Sequence, residues 1–471
     1  MKAAKPMKYA LGTACVASAL ALMTACAVGP NYRRPEFNTT PTYKEEDGWK
    51  PSEPADTLDR GPWWQIFHDD LLSSLEEQVN ISNENIKAAE AAFEESRALV
   101  RQAQAGLWPS VSVSGSRERK VTGNQPPRTL NDAGVSANWD LDVWGQIRRT
   151  VESDQASAQA SAATLAAARL SAQAELATDY FQLRAQDQLQ VILDDIVAAE
   201  QLSLKITENR YRVGVAAKAD VVTAQTQLLS SQAQQVSAPL QRAILEHAIA
   251  VLVGQQPASF SVPVAPIRTD VPTVPAGVPS TLLERRPDVA ETERRMAAAN
   301  AQIGVAIAAF FPSLTLSGSD DYTGNTISRL IRTSNRVWQF GPTLALSVFD
   351  AGLRRAQVAQ ARAAYEASVD NYRQTVLAGI QQVEDEIATL RILEQQAVIE
   401  DAAVKAAREA ETLTLNQYKA GTVPYSSVIT AQTTRLASEE TALGVLSGRL
   451  QASVALIEAL GGGWKASDIP R

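Results

Sequence analysis

Two stretches of this chain alternate apolar and small polar residues with a period of two, and nearly everything around them carries the spacing of long helices. In the first stretch, Val111 and Val113 alternate with Ser110, Ser112 and Ser114. After a polar loop with Gly123-Asn124 and Pro126-Pro127, Val135, Ala137, Trp139, Leu141 and Val143 alternate with Ser136, Asn138, Asp140 and Asp142. In the second, Leu314 and Leu316 alternate with Ser313, Thr315 and Ser317, and Phe340, Pro342, Leu344, Leu346 and Val348 then alternate with Gly341, Thr343, Ala345 and Ser347. The pattern predicts two β-hairpins, over 109–144 and 312–349, with strands of roughly 9–11 residues, long enough to span a bilayer when tilted. One face is apolar and the other small and polar, as in a barrel with lipid outside and water inside. By alternation Asp140 and Asp142 fall on the lumen side, where acids would favour passing cations.

The flanking runs read as helix. Residues 146–213 and 352–420 contain no proline and would each reach on the order of 100 Å at about 1.5 Å per residue. Gly214 and Gly421 stand where a glycine ends a helix, and Asp220, Pro424, Ser426 and Ser427 look like starts of returning helices over 220–253 and 424–460. Shorter runs over 70–107 and 281–310 lead into the hairpins. Two half-length helices laid end to end match one full-length neighbour, so the chain predicts a rod with hairpins at one end and helical turns at the other.

The pattern occurs twice. At an offset of 207, Thr207, Asn209, Tyr211 and Gly214 recur as Thr414, Asn416, Tyr418 and Gly421, and Thr223-Ala224-Gln225-Thr226 recurs as Thr430-Ala431-Gln432-Thr433. A repeat this regular makes each copy one structural unit. The organisation expected is a signal segment 1–25, an N-terminal strap 26–65, repeat 1 over 66–253, a Pro-rich equatorial linker 254–280, repeat 2 over 281–464, and a tail 465–471.

Four membrane strands per chain cannot close a barrel, since the smallest have eight. The chain must therefore oligomerise, by default with closed cyclic symmetry. Two copies give an interior filled by side chains, whereas three give twelve strands and a lumen. The fold class expected is an α+β membrane protein in which a β-barrel continues into a long α-helical barrel, internally duplicated.

Composition narrows the class further. The 471 residues carry a formal charge of −8 with no basic aromatic-rich patch, so nucleic acid is not an expected partner. Lys2, Lys5 and Lys8 precede an apolar stretch from Ala10 to Met23, and Met23-Thr24-Ala25-Cys26 has the form of a small-residue cleavage site. It resembles a bacterial lipobox, which makes Cys26 the candidate lipidated residue, and Ala27 after it points to the outer membrane. Cleavage would remove three lysines and no acid, and would leave Cys26 as the one cysteine, with no internal disulfide. Catalysis finds no support: His68 and His247 are the two histidines, neither at metal-ligand spacing, and no phosphate loop or nucleophile elbow occurs. Neither an enzyme nor a cofactor or metal is expected. The Arg148-Arg149 and Arg354-Arg355 pairs sit where strands become helices, and read either as contacts to a phosphate-bearing membrane surface or as ordinarily solvated. Trp63, Trp64, Trp139, Trp144 and Trp338 include candidate interfacial anchors, although Trp63 and Trp64 lie in the strap and are expected to pack there.

Specific segments carry a family resemblance along the whole chain: Cys26-Ala27-Val28-Gly29-Pro30-Asn31-Tyr32, Trp63-Trp64 with Phe67, Leu283-Glu284-Arg285-Arg286-Pro287-Asp288-Val289, Ala298 to Val305, Phe310-Phe311-Pro312-Ser313, Phe349-Asp350-Ala351-Gly352 and Ala459 to Trp464. The chain resembles the lipoprotein branch of outer-membrane factors of tripartite efflux systems that work with resistance-nodulation-division pumps. The resemblance implies a homotrimer with a twelve-strand outer-membrane barrel and a helical tunnel, docked to a periplasmic adaptor protein and an inner-membrane pump. The function expected is a passive exit duct for drugs and small toxic compounds. A duct for metal-ion efflux or type I protein secretion, and a trimeric periplasmic scaffold without a pore, are the alternatives. In similar proteins a tyrosine, an aspartate and an arginine near the second turn hold the tip shut. Tyr418 matches the tyrosine, but Thr430 and Thr433 stand where the acid and the arginine belong, so a hydroxyl–amide arrangement or another acid would have to replace that latch. The turns Val213-Gly214-Val215 and Ala420-Gly421-Thr422 are the candidate adaptor contacts.

Overall fold

A computed structural model describes residues 27–35, 42–46, 62–124, 126–274 and 285–464. Cys26, the signal segment and the tail 465–471 lie outside the described residues. Among the described residues, seven α-helices and four strands follow in the order α1 (Asp70–Ser82), α2 (Glu84–Ala105), β1 (Ser110–Lys120), β2 (Arg128–Asp140), α3 (Gln146–Arg212), α4 (Lys218–Leu252), α5 (Pro287–Ala308), β3 (Ser313–Gly324), β4 (Arg336–Ala345), α6 (Leu353–Ala420) and α7 (Tyr425–Ala459). The duplication appears in the lengths: α3 and α6 have 67 and 68 residues, and α4 and α7 have 35 each. Among the described residues no helix is long and apolar enough to cross a membrane.

The two long helices define the rod. Along α3, α2 and α5 pack against the half nearer the strands, and α4 and α7 against the far half; α5 and α7 likewise share the length of α6. Each long helix ends at a left-handed glycine, Gly214 at φ +78° and Gly421 at φ +80°, a conformation that costs a side-chain-bearing residue about 1 kcal/mol or more. The Gly421 amide closes onto the Tyr418 carbonyl and Thr422 onto that of Gln417, so orphan helix-end carbonyls are satisfied where the chain reverses.

Two expectations change. The single run over 70–107 is two helices, because Asn83 interrupts it: its side-chain carbonyl accepts from the Asn85 and Ile86 amides at 2.9 and 3.1 Å, capping α2. Its amide donates to the Leu252 carbonyl at 2.8 Å, which pins the break to the end of α4. The strands also lie earlier in the chain than alternation suggested. β2 begins at Arg128 and stops at Asp140, and β4 begins at Arg336 and stops at Ala345, so Leu141, Asp142, Val143, Leu346 and Val348 lie past the strand ends. Pro239 sits inside α4, within the run expected over 220–253.

The core concentrates at the waist, where the half-length helices meet. Trp63, Trp64 and Phe67, on a 3-10 turn over Trp63–Phe67, are buried against α3. Phe67 approaches Phe181 at 4.8 Å between ring centroids, and the Trp63 indole donates to Gln173 Oε1 at 3.1 Å. These tryptophans serve the waist rather than a membrane surface. Val262, Ile267 and Val274, from the first part of the Pro-rich linker, join the same cluster. Arg184 and Arg242 both reach the carboxylate of Asp187, and each also donates to a linker carbonyl, Pro263 and Val262 respectively. Buried cations thereby satisfy a backbone that proline prevents from forming a ladder of its own.

The sheet face and the helical tip

The four strands form one antiparallel sheet in chain order β1-β2-β3-β4. Register sorts the side chains by chemistry. Across one row Val113, Val135, Asp320 and Trp338 are neighbours, and across another Ala137, Gly318 and Phe340. Val111 completes the second row, and further rows on this face add Trp139, Leu316 and Leu344. Most of its large residues are exposed, Val113 at 82% and Phe340 at 70%, while Trp139 and Leu316 are half-buried. The opposite face carries Ser112 against Ser136 with hydroxyls 2.8 Å apart, Asp132 accepting from Thr323 at 2.7 Å, and Asp140 accepting from Thr315 at 2.7 Å. An isolated sheet with bare valines and aromatics on one side, and two edge strands with unpaired backbone groups, is unfinished in water.

Asp140 sits on the small polar face. Asp142 does not continue that face. It lies beyond the strand and accepts from the Ile147 and Arg148 amides at 2.9 Å each, and from Arg148 Nε at 3.2 Å. It therefore caps α3, and the alternation that put it in the lumen stops two residues before it. Asp132 and Asp321 lie on the Asp140 face and escaped the sequence reading, because the strand was started too late to include Asp132.

Three of these four arginines, Arg148, Arg149 and Arg354, are held by partners within the chain. Arg149 is buried, with 3% of its surface exposed, and donates to the carbonyls of Val28 and Gly29 and to Asn31 Oδ1, at 3.1, 3.3 and 2.8 Å. Arg354 pairs with Asp350 and reaches the Ser347 carbonyl at 2.5 Å. A membrane-surface role for Arg148, Arg149 and Arg354 gives way to partners within the chain, since each guanidinium is already engaged. Arg149 clamps the strap over residues 27–35 to α3, and on α5 Glu293 accepts from the Tyr32 hydroxyl and the Asn300 amide donates to the Pro30 carbonyl. Gly29, at φ +97°, comes so close that a Cβ there would stand 2.5 Å from the Gly304 Cα.

At the far end the residues of the two repeats interlock. The Tyr418 hydroxyl donates to Thr207 Oγ1 at 3.2 Å, its ring lies 5.2 Å from that of Tyr425, and the Arg210 guanidinium stacks on it at 4.8 Å. Arg210 Nη1 also donates to the Lys419 carbonyl at 2.8 Å. One turn up, the Gln432 amide donates to Ser203 Oγ at 3.1 Å within a buried contact. Thr430 and Thr433 take no part: they are exposed and their hydroxyls donate to the Ser426 and Ile429 carbonyls of their own helix. The links between repeats thus come from Tyr418, Gln432 and Arg210. Gln432 stood in the repeated Thr-Ala-Gln-Thr motif, but Arg210 comes from the other repeat, and no spacing within one repeat could reveal it.

Further along, Arg435 on α7 bridges Glu411 at 2.8 Å and Glu439 at 3.0 Å, and Arg408 also reaches Glu439 at 2.6 Å. Glu200 on α3 is buried, accepting from Gln227 at 3.0 Å. Burial pushes its carboxyl above the ordinary range, and the negative charge of Glu411 adds to that. The turn residues Val213, Gly214, Val215, Ala420, Gly421 and Thr422 are all exposed at the tip, with Val213 at 72%. Among the described residues no cluster of acids, histidines or cysteines could hold a metal.

Residues 75–255 and 278–462 match the family described as outer membrane efflux protein. The chain belongs to that family. It is an outer-membrane efflux component and not an enzyme. It is 28% identical over 457 residues to the probable efflux pump outer membrane protein TtgC of Pseudomonas putida, covering 94% of each chain. It is 27% identical to the cation efflux system protein CusC of Escherichia coli, covering 96% of this chain and 98% of that one. Its fold superposes on the outer-membrane channel OprN with a TM-score of 0.85 and 30% identity, covering 93% of this chain and all of that one.

Proposed function

We propose that three copies of this chain close into a twelve-strand barrel continued by a helical tunnel, forming the passive exit duct of a tripartite pump for drugs and other small toxic compounds. The observation that carries the reading is the sheet: four strands, two open edges, an apolar face and a small polar face. Joining β4 of one copy to β1 of the next satisfies both edges, turns the valines and aromatics to lipid and leaves serines, threonines, Asp140, Asp132 and Asp321 around water. Three copies are the smallest number that leaves a lumen.

The strap supports an anchor at Cys26. Its first described residue, Ala27, lies against Gly145, where β2 has just given way to α3, and the Val28 amide donates to the Trp144 carbonyl at 3.1 Å. A lipid on the preceding residue would therefore enter the bilayer beside the barrel. The exposed turns at the opposite end suit docking of a periplasmic adaptor that bridges to an inner-membrane resistance-nodulation-division pump.

Planar-bilayer conductance of the purified protein tests the duct. Unitary steps are expected, and their absence would leave a scaffold without a pore. Susceptibility of a deletion strain to dyes, detergents, antibiotics and metal cations, with and without complementation, tests the cargo. Sensitisation to metal cations alone would favour the metal duct that likeness to a cation efflux protein suggests.

A further inference from the structure

The upper end of the sheet, opposite the helices, segregates charge by face. Above the apolar rows of β1 the sequence runs Arg117-Glu118-Arg119-Lys120, and alternation turns Arg117 and Arg119 to the apolar side and Glu118 and Lys120 to the polar side. Register sets Arg117 beside Asn131 and Gly324, one row above Tyr322 and Arg336. Arg336 is neutralised by Asp320, which accepts two hydrogen bonds from it at 2.7 Å. No ion pair engages Arg117 or Arg119 among the described residues.

The hairpin loop between β3 and β4 adds two more cations. Arg329 and Arg332 are exposed, and so are Ile327 at 70% and Ile331 at 78%. The loop is built rather than slack: Asn335 Nδ2 donates to the Arg329 and Leu330 carbonyls at 2.8 and 3.1 Å, and the Leu330 side chain is buried. A held loop that presents Ile327 and Ile331 beside Arg329 and Arg332 matches a surface that offers both apolar and anionic groups. Below it, Trp338 is 69% exposed on the same face as Phe340 and Leu344, the position of an interfacial aromatic. Along β4 the outward apolar run from Leu344 to Trp338 ends at the Asp320–Arg336 pair, and the free arginines begin directly above.

We propose that Arg117, Arg119, Arg329 and Arg332 form an outward-facing site for the phosphate groups of a glycolipid in the outer leaflet. The proposal rests on the barrel reading, which turns the apolar face to lipid. A phosphate at the headgroup level takes paired donors from a guanidinium better than from an ammonium, and the apolar rows beneath accept the acyl chains. On the polar side of the same rim Lys120 and Arg128 share the face with Glu118, Asp132 and Asp321, whose charges offset theirs.

The test measures binding of fluorescent lipid A, bis-phosphorylated or phosphatase-treated, to the full-length detergent-purified protein, after confirming its oligomeric state and its insertion into vesicles. The wild type should favour the bis-phosphorylated lipid at least tenfold. Arg117→Gln with Arg119→Gln should weaken that lipid about 25-fold, at about fivefold per arginine. The loop pair Arg329→Gln with Arg332→Gln should weaken it similarly, whereas Lys120→Gln with Arg128→Gln, on the polar face, should change it less than threefold. Arginine-to-lysine versions guard against loss of assembly and should retain part of the affinity. Equal binding of the two lipids by the wild type, or equal weakening by the polar-face pair, overturns the proposal while leaving the barrel intact. Failure of the wild type to insert into vesicles removes the barrel reading and this site with it.

Discussion

Replacing Arg149 by methionine keeps the buried aliphatic stem and deletes the guanidinium. Three acceptors on the strap then lose their donor: the Val28 and Gly29 carbonyls and Asn31 Oδ1. Hydrogen bonds to charged groups contribute about 1.5–3 kcal/mol each when buried, but the strap is partly open to water, so about 1 kcal/mol each is the better figure. Glu152, the fourth partner, has a side chain 42% exposed and is resolvated without cost. The strap keeps Tyr32 on Glu293 and Pro30 on Asn300. Loss of about 3 kcal/mol should raise the local opening equilibrium of residues 27–35 about a hundredfold, with the waist and the far helices unchanged. Hydrogen exchange at the Val28 amide, which is bonded to the Trp144 carbonyl, reads that opening directly. A change below threefold, or acceleration spread evenly along α3, would refute the clamp. If Arg149 instead met a membrane phosphate, lipid affinity would fall while exchange in the strap stayed the same.

Glu76 is fully buried at the waist, and burial pushes its carboxyl up to about 9. The native state then holds a proton that the unfolded chain releases above about pH 4.3, so stability falls as pH rises from there towards 9, by at most about 1.4 kcal/mol per unit. Glu76→Gln should flatten this decline, raising the apparent Tm at pH 8 but hardly at pH 5; equal shifts at both would contradict it. Arg435→Met leaves the buried Glu411 without its cation, while Glu439 keeps Arg408, and should cost about 3 kcal/mol. Adding Glu411→Gln should recover part of that in thermal unfolding, and no recovery would count against the bridge. Tyr418→Phe removes one hydroxyl contact worth about 1 kcal/mol, and Gln432→Leu removes a second link between repeats. The double variant should raise the fraction of time the channel conducts in planar bilayers, and unchanged gating would remove these residues from the closed tip.

The sequence by itself determined the plan of the molecule, because periodicity is a local property. Alternation in two places, proline-free runs of equal length and two glycines at matching offsets are each legible from neighbours a few residues apart. The family segments then placed the chain among outer-membrane efflux proteins, where the match over both repeats also puts it. Tertiary structure decided what depends on approach between distant segments. Asn83 ends a helix because the Leu252 carbonyl, far along the chain, waits beside it. The Arg148-Arg149 pair read either as a membrane contact or as ordinarily solvated, and became a helix-end link and a strap clamp once Asp142 and Val28 were brought near. At the tip, Arg210 and Tyr418 come from different repeats, and Thr430 and Thr433 hydroxyls turn back on their own helix. The outward set of Arg117 and Arg119 needed the register of the sheet, since alternation sorts residues into two faces but does not say which neighbours each face brings together.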